Sequence, residues 1–233
     1  MDALHLSKRL QVVADYVPAN ARLADIGSDH AYLPANLLLA DKISFGIAGE
    51  VAKGPLENAR QEVMRHRLSD RLEARLADGL AAVTPEDNID TVVVAGMGGR
   101  LISQILEAGH QNGEQYDHLI LQPNIDVYVV REWLETHGYQ IEAETMLLDE
   151  GHYYEIVVAV PGEQSLTSQE RHYGPFNIAA NDDVWRAKWQ READRIGDVM
   201  AQLVAVEKTD TPAYQKYAAQ KAEIEEVLAH AGQ

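Results

Sequence analysis

Five times in the first 122 residues an apolar run stops at a polar or glycine residue: Asp25, Glu50, Asp78, Gly96 and Gln122. The first break opens the most informative stretch, Asp25-Ile26-Gly27-Ser28-Asp29-His30-Ala31-Tyr32-Leu33-Pro34. Gly27 has no Cβ and tolerates positive φ, so backbone can approach a ligand closely there. Glu50 ends the second run, Phe45-Gly46-Ile47-Ala48-Gly49, and a carboxylate at that place can accept hydrogen bonds from both hydroxyls of a ribose. The first turn lacks the G-x-G-x-x-G of a dinucleotide site, and two acids disfavour a pyrophosphate. A cationic ligand without phosphate suits them better. S-adenosylmethionine, with its ribose, amino acid and sulfonium, meets those demands. The plainer alternative is a surface turn whose acids cap helices.

The elements that must position these residues alternate. Leu6, Leu10, Val13 and Val17 fit a helix over the start of a sheet. A strand ends at Asp25, and Pro34 suits the first turn of the helix that follows. A second strand reaches Glu50, Gly54-Pro55 opens a helix through Val63, and Leu72–Leu76 alternates as a third strand. Val92–Ala95 is continuous and β-branched, as a strand buried on both faces should be. It runs into Gly96-Met97-Gly98-Gly99 and a helix over 100–107; Leu119–Leu121 is a fifth strand, ending in Gln122-Pro123-Asn124. A helix over 129–137 follows, then strands over 139–148 and 154–160 close enough to pair as an antiparallel hairpin. Five strands each followed by a helix, then a terminal hairpin, predict an α/β fold. It is a doubly wound, seven-stranded, Rossmann-like sheet of the class I methyltransferase kind, with its ligand at the strand ends.

Composition narrows the classes. The chain has 233 residues, no cysteine and a net charge of −17. Disulfides, thiolate metal sites and cysteine catalysis are excluded, and a reducing cytoplasm is the expected home. No basic segment followed by an apolar one suggests a signal peptide, and no apolar run approaches a membrane span. The charge argues against holding nucleic acid by bulk electrostatics, though it is uneven: net −13 over residues 1–162 and −4 over 163–233. Arg60, Arg65, Arg67, Arg71 and Arg75 form a local basic run, usually a solvated helix face and less often a phosphate-contacting patch.

Pro161-Gly162 marks a boundary between a catalytic domain, 1–162, and a helical coiled-coil domain, 163–233. Thr167 and Glu170 have capping-box spacing for a short helix. Trp185, Trp189, Ile196, Val199, Leu203 and Val206 recur at three- and four-residue steps, broken only at Glu192. Thr211-Pro212 starts a partner helix carrying Tyr214, Tyr217, Ile224 and Leu228. Two helices alone bury little, so this seam must dock on another element or on a partner. Nothing in the sequence sets an oligomeric state, and a monomer stays open.

Taken together, Leu6-Ser7-Lys8-Arg9-Leu10, the Asp25–Pro34 block, Ala48-Gly49-Glu50-Val51 with Gly54-Pro55, Ala95–Gly99, Gln122-Pro123-Asn124 and Glu150–Glu155 resemble the bacterial tRNA (adenine-22-N1)-methyltransferase family. The match covers the first 162 residues in order, and the helical tail is similar to that family's second domain. The resemblance implies S-adenosylmethionine as methyl donor, no metal, and tRNA as partner, methylated at an adenine N1 in the D-arm. The Asn-Pro-Pro-Tyr-like motif of amino-directed adenine methyltransferases is absent after the fourth strand, where Gly96-Met97-Gly98-Gly99 stands.

Adenine N1 is nucleophilic when neutral, so the protein must chiefly align N1, methyl carbon and sulfur. N1 lies on the Watson–Crick edge, so the base must be unpaired or flipped and clamped. The candidates for that work are Asp29, His30 and Tyr32 in the first loop, Asn124 after the fifth strand, and Tyr153 on the hairpin. For the cofactor they are Glu50 at the ribose, Asp25 at the loop or amino group, Asp78 near the adenine amino group, and Gly27, Gly79, Gly96 and Met97 as lining. Each also has a structural reading: Asp29 as a helix N-cap, His30 as a solvated loop residue, Tyr32 and Met97 as packing, Asn124 as a turn residue. A small-molecule methyltransferase or a non-catalytic module binding the same cofactor would share the first domain.

Overall fold

The computed structural model describes residues 2–232 as a seven-stranded sheet flanked by α-helices. The strands β1 (Ala21–Ile26), β2 (Ile43–Glu50), β3 (Leu72–Leu76), β4 (Thr91–Gly98) and β5 (His118–Ile125) are parallel. β6 (Tyr139–Asp149) and β7 (His152–Pro161) form the hairpin, with β7 antiparallel to both β5 and β6. Spatial order is β3-β2-β1-β4-β5-β7-β6. The order reverses between β1 and β4, so the crevice lies over their carboxyl ends.

Side chains alternate along the buried strands, and the two faces build two cores. Val93, Leu23 and Ile120 point to the side of α1 (Lys8–Tyr16), α2 (Tyr32–Leu39) and α3 (Lys53–Arg65). Val92, Val94 and Leu121 point to α4 (Gly99–Gln111) and α5 (Val127–Thr136), meeting Ile102, Trp133 and Leu134.

The sequence expectation of a helix after every parallel strand fails at β3. Two short 3-10 turns, Gly79–Ala82 and Pro85–Asp87, make that connection. Thr84 and Asp87 close a reciprocal cap around Pro85, while Asp87 also binds Arg75 at the end of β3, so the chain is pinned before an α-helix can propagate. The glycine and Gln-Pro-Asn breaks also lie inside β4 and β5, because pairing continues through Ala95↔Gln122, Met97↔Pro123 and Gly98↔Ile125 with register shifts at Met97. Such bulges re-aim side chains beside functional sites.

After β7 come α6 (Ser168–Tyr173), α7 (Pro175–Ala180), α8 (Asp183–Ala205) and α9 (Pro212–His230). The Thr167–Glu170 capping box forms, and Thr211 accepts the Tyr214 N–H. The α8–α9 seam is packed only near its base, where Trp185, Trp189, Ala193 and Ile196 meet Ile224, Val227 and Leu228. Val204 and Val206 stay exposed at the far end. Met146 of β6 and Tyr173 of α6 complete that core, so the helical pair stands on the sheet's hairpin edge.

Candidate functional site

Two buried acids define the crevice. Asp25 is 4% exposed at the end of β1, and Glu50 6% exposed at the end of adjacent β2. Neither has a salt-bridge partner among the described residues. Burial pushes Asp25 up to about 7; the Ser28 hydroxyl, donating at 2.5 Å, and the charge of Arg9 oppose this, and Glu50 adds to it. Burial also pushes Glu50 up, against the hydrogen bond its Oε1 accepts from the Asp29 backbone N–H. Paired buried carboxylates without a direct salt-bridge partner call for a ligand that brings positive charge or hydroxyl donors.

The first loop is held in an unusual conformation. Gly27 has φ +72°, and Asp29, His30 and Ala31 follow at +42°, +73° and +56°. Each such non-glycine residue costs on the order of 1 kcal/mol or more, sustained only by its surroundings. The surroundings are the Gly27 and Ser28 N–H groups on the Gly49 carbonyl and the Glu50 bond to Asp29 N. Because Ala31 is the cap residue of α2, Asp29 is not its N-cap. His30 and Tyr32 stack, ring centroids 5.1 Å apart and 7° from parallel.

Across the crevice, a polar relay joins β4, β5 and α1. Arg9 donates to Gln122 Oε1 at 2.5 Å, the Gly96 N–H donates to the same oxygen, Gln122 donates to Asn124 Oδ1, and Asn124 donates to the Gly96 carbonyl. Asn124 therefore braces the β4 tip while remaining exposed. Arg9, whose helix position suggests only an outer face, instead reaches inward over the Tyr154 ring. Sequence reasoning gave Arg9 no role, its one signal being its place inside the Leu6–Leu10 block, and it marked Gln122 as a strand-end break without assigning it this bracing role.

Gly27 holds φ +72°, a left-handed conformation that favours glycine, and the flexible Met97 ε-methyl lies where a Cβ would point. Asp78 and Gly79 follow β3 and line a cleft of about 220 Å³ with Leu101 and Ile105. Asp25, Gly27, Glu50, Gly96 and Met97 thus gather at the strand ends, with Asp78 and Gly79 beyond β2. Tyr153 lies on the far side of β5, in a separate cleft with Asn124.

The arginine run is not a free basic patch. Arg65 pairs with Glu62, Arg71 with Asp41, and Arg75 with Glu73 and Asp87. Arg67 and Arg71 sit between the end of α3 and the start of β3, at the sheet edge opposite the crevice.

Residues 23–229 match the family model described as tRNA (adenine(22)-N(1))-methyltransferase. A tRNA (adenine(22)-N(1))-methyltransferase of Bacillus subtilis (strain 168) is 38% identical over 216 residues, spanning 90% of each chain. The crystal structure of a putative tRNA (m1A22) methyltransferase from Streptococcus pneumoniae, in complex with S-adenosyl-L-methionine, superposes with a TM-score of 0.88 at 39% identity, covering 96% of this chain and 100% of that one. An M. capricolum structure in complex with S-adenosyl-homocysteine gives a TM-score of 0.87 at 25% identity, covering 97% and 99%.

Proposed function

The chain belongs to the tRNA (adenine(22)-N(1))-methyltransferase family, and we propose that it methylates N1 of adenine 22 in the D-arm of tRNA. The observation that carries this reading is the buried pair Asp25 and Glu50, neither in a salt bridge, at adjacent strand ends beside Gly27. That donor set fits S-adenosylmethionine. Glu50 Oε1 holds the loop, which leaves Oε2 to accept from the ribose hydroxyls; Asp25 would hold the positive amino-acid end, and Asp78 and Gly79 would lie toward the adenine. Gly27, Gly96 and Met97 line the space between. When bound, S-adenosylmethionine supplies the methyl group on a sulfonium.

The protein's own work is then positional. Tyr32, backed by the His30 ring, offers a flat face against which a flipped adenine is clamped, fixing N1 in line. Asn124 and the Asp29 carboxylate supply acceptors for the exocyclic amine, whose acidity rises as the ring becomes cationic. Arg9 lies behind the crevice, where its charge keeps Asp25 closer to ionised and its bond orients Gln122.

The division at residue 162 is part of the proposal: the sheet holds the cofactor, and the tail steers tRNA on a protein whose bulk charge repels phosphate. Among the described residues no helix is long and apolar enough to cross a membrane. A cytoplasmic site of action, where tRNA is found, accords with the lack of cysteine. Transfer of labelled methyl groups to unmodified tRNA, followed by nucleoside analysis, tests the reading. It expects 1-methyladenosine at position 22 and none in a tRNA with another base there. Label elsewhere, or cofactor binding without transfer, would overturn it.

A further inference from the structure

A cleft of about 330 Å³ opens on the other side of the β5 tip, where the sheet domain meets the tail. Asn124, Ile125, Tyr128 and Tyr153 line it from one side, His172 and Trp189 from the other. Building on the methyltransferase reading, we propose that this cleft is a second nucleotide subsite that takes an unpaired base flanking the target adenine of the tRNA.

Aromatic rings and one aliphatic side chain make up much of its lining. Tyr128 and His172 stack with centroids 5.5 Å apart and 22° between planes, His172 lies 6.3 Å from Trp189, and Ile125 is 66% exposed. A bare aliphatic side chain beside stacked rings is the composition of sites that bind bases by their π-faces. The Trp189 indole is 7% exposed, and its Nε1 has no acceptor among the described residues.

Charge selects the base over the phosphate. Asp126 and Glu155 both line the cleft, and the nearby Lys188 ammonium is committed to Glu155 at 2.6 Å while sitting 4.0 Å over the Trp189 ring. A phosphate would meet two carboxylates; a neutral base meets rings. Position supplies the last argument. Asn124 belongs both to this cleft and to the relay that braces Gly96, so the cleft adjoins the reaction crevice. When an adenine is extruded to expose N1, its neighbour loses a stacking partner, and the cleft provides another.

The test uses full-length protein and tRNA carrying an abasic nucleotide immediately 5′ or 3′ of the target adenine. Tyr128→Ala should raise the KM for tRNA by about 5- to 100-fold. The kcat, the melting temperature and the affinity for S-adenosylmethionine should hold, and Tyr128→Phe should behave as wild type. One of the two abasic substrates should show a similar loss with wild type and little further loss with Tyr128→Ala. His172→Ala, at an exposed side chain of α6, repeats the measurement if Tyr128→Ala folds poorly. Abasic losses of equal size in wild type and variant would overturn the proposal while leaving methylation intact. A fall in kcat alone would also overturn it, placing the ring on the target base. Absence of any methylation by wild type would instead remove the underlying reading.

Discussion

The Glu50 carboxylate at the end of β2 accepts the backbone N–H of Asp29, 21 positions earlier, at 2.5 Å. That bond fastens the segment where three successive non-glycine residues hold positive φ. One oxygen of Glu50 therefore keeps the loop proposed to clamp adenine in place, which leaves the other for the proposed cofactor contact. Glu50→Ala should lose both, weakening S-adenosylmethionine by about 1–3 kcal/mol and also lowering kcat as the loop relaxes. Glu50→Gln, still able to accept from Asp29, should lose affinity and retain more of kcat. Calorimetry with single-turnover kinetics separates the two; equal kcat values would show that the loop does not depend on this bond.

Asp25 makes cofactor binding pH-dependent. Burial pushes its carboxyl up to about 7, above an ordinary 3.8, so the ligand-free folded state holds a proton that the unfolded state has released. Ligand-free stability should therefore fall as pH rises from about 4 to 7 on this group's account. Affinity for the cationic cofactor should rise over the same upper range, by up to about tenfold per pH unit below 7. Asp25→Asn should flatten both dependences, raising the melting temperature of the free protein at pH 8 while weakening the cofactor. A steep affinity profile persisting in Asp25→Asn would assign the proton to another group.

The tail is joined to the sheet through a buried charge cluster. Arg131 of α5, fully buried, donates to Glu144 of β6 and Glu155 of β7 and to the carbonyls of Arg171 and His172 in α6. Lys188 of α8 binds Glu155 as well. Arg131→Met would leave the buried Glu144 without a cation and Glu155 with Lys188 alone, and should cost about 3–5 kcal/mol in denaturant unfolding. Burial alone would raise Glu155, but Lys188 and Arg131 overcome it and hold it down to about 2. Its contribution is thus present above about 4.5 and lost as pH falls toward 2, which acid unfolding of Lys188→Met against wild type would show. For the same reason, deleting 163–233 should destabilise the sheet domain as well as abolish tRNA methylation.

Changing Arg65, Arg67 and Arg71 together to glutamine should leave both tRNA affinity and its salt dependence nearly unaltered, since they lie at the far sheet edge and two of them are paired. Were all three to contact phosphate, the log–log salt slope would instead shrink by about 2 to 3.

The strand and helix order was legible in the sequence because central strands such as β4 are continuous apolar runs, the edge strand β3 alternates, each is followed by a polar or glycine break, and the sheet's edge hairpin is local. The proposed cofactor acids were singled out for the same reason: Asp25, Glu50 and Asp78 lie at or just beyond strand ends, and strand ends converge in a doubly wound sheet. The chain after β3 was not, because Arg75 and Asp87 compete with helix formation through a contact between side chains twelve positions apart. Nor could spacing reveal Arg9, whose helix reads as amphipathic with a charged outer face until β5 delivers Gln122 to it from 113 residues away. The same holds for Arg131. A lone arginine in an apolar helix has no visible partner in sequence, and only the meeting of β6, β7 and the tail supplies the carboxylates that make its burial tolerable. Local pattern thus determined which elements form and where their ends fall; long-range packing alone decided which charges neutralise one another and which remain for a ligand.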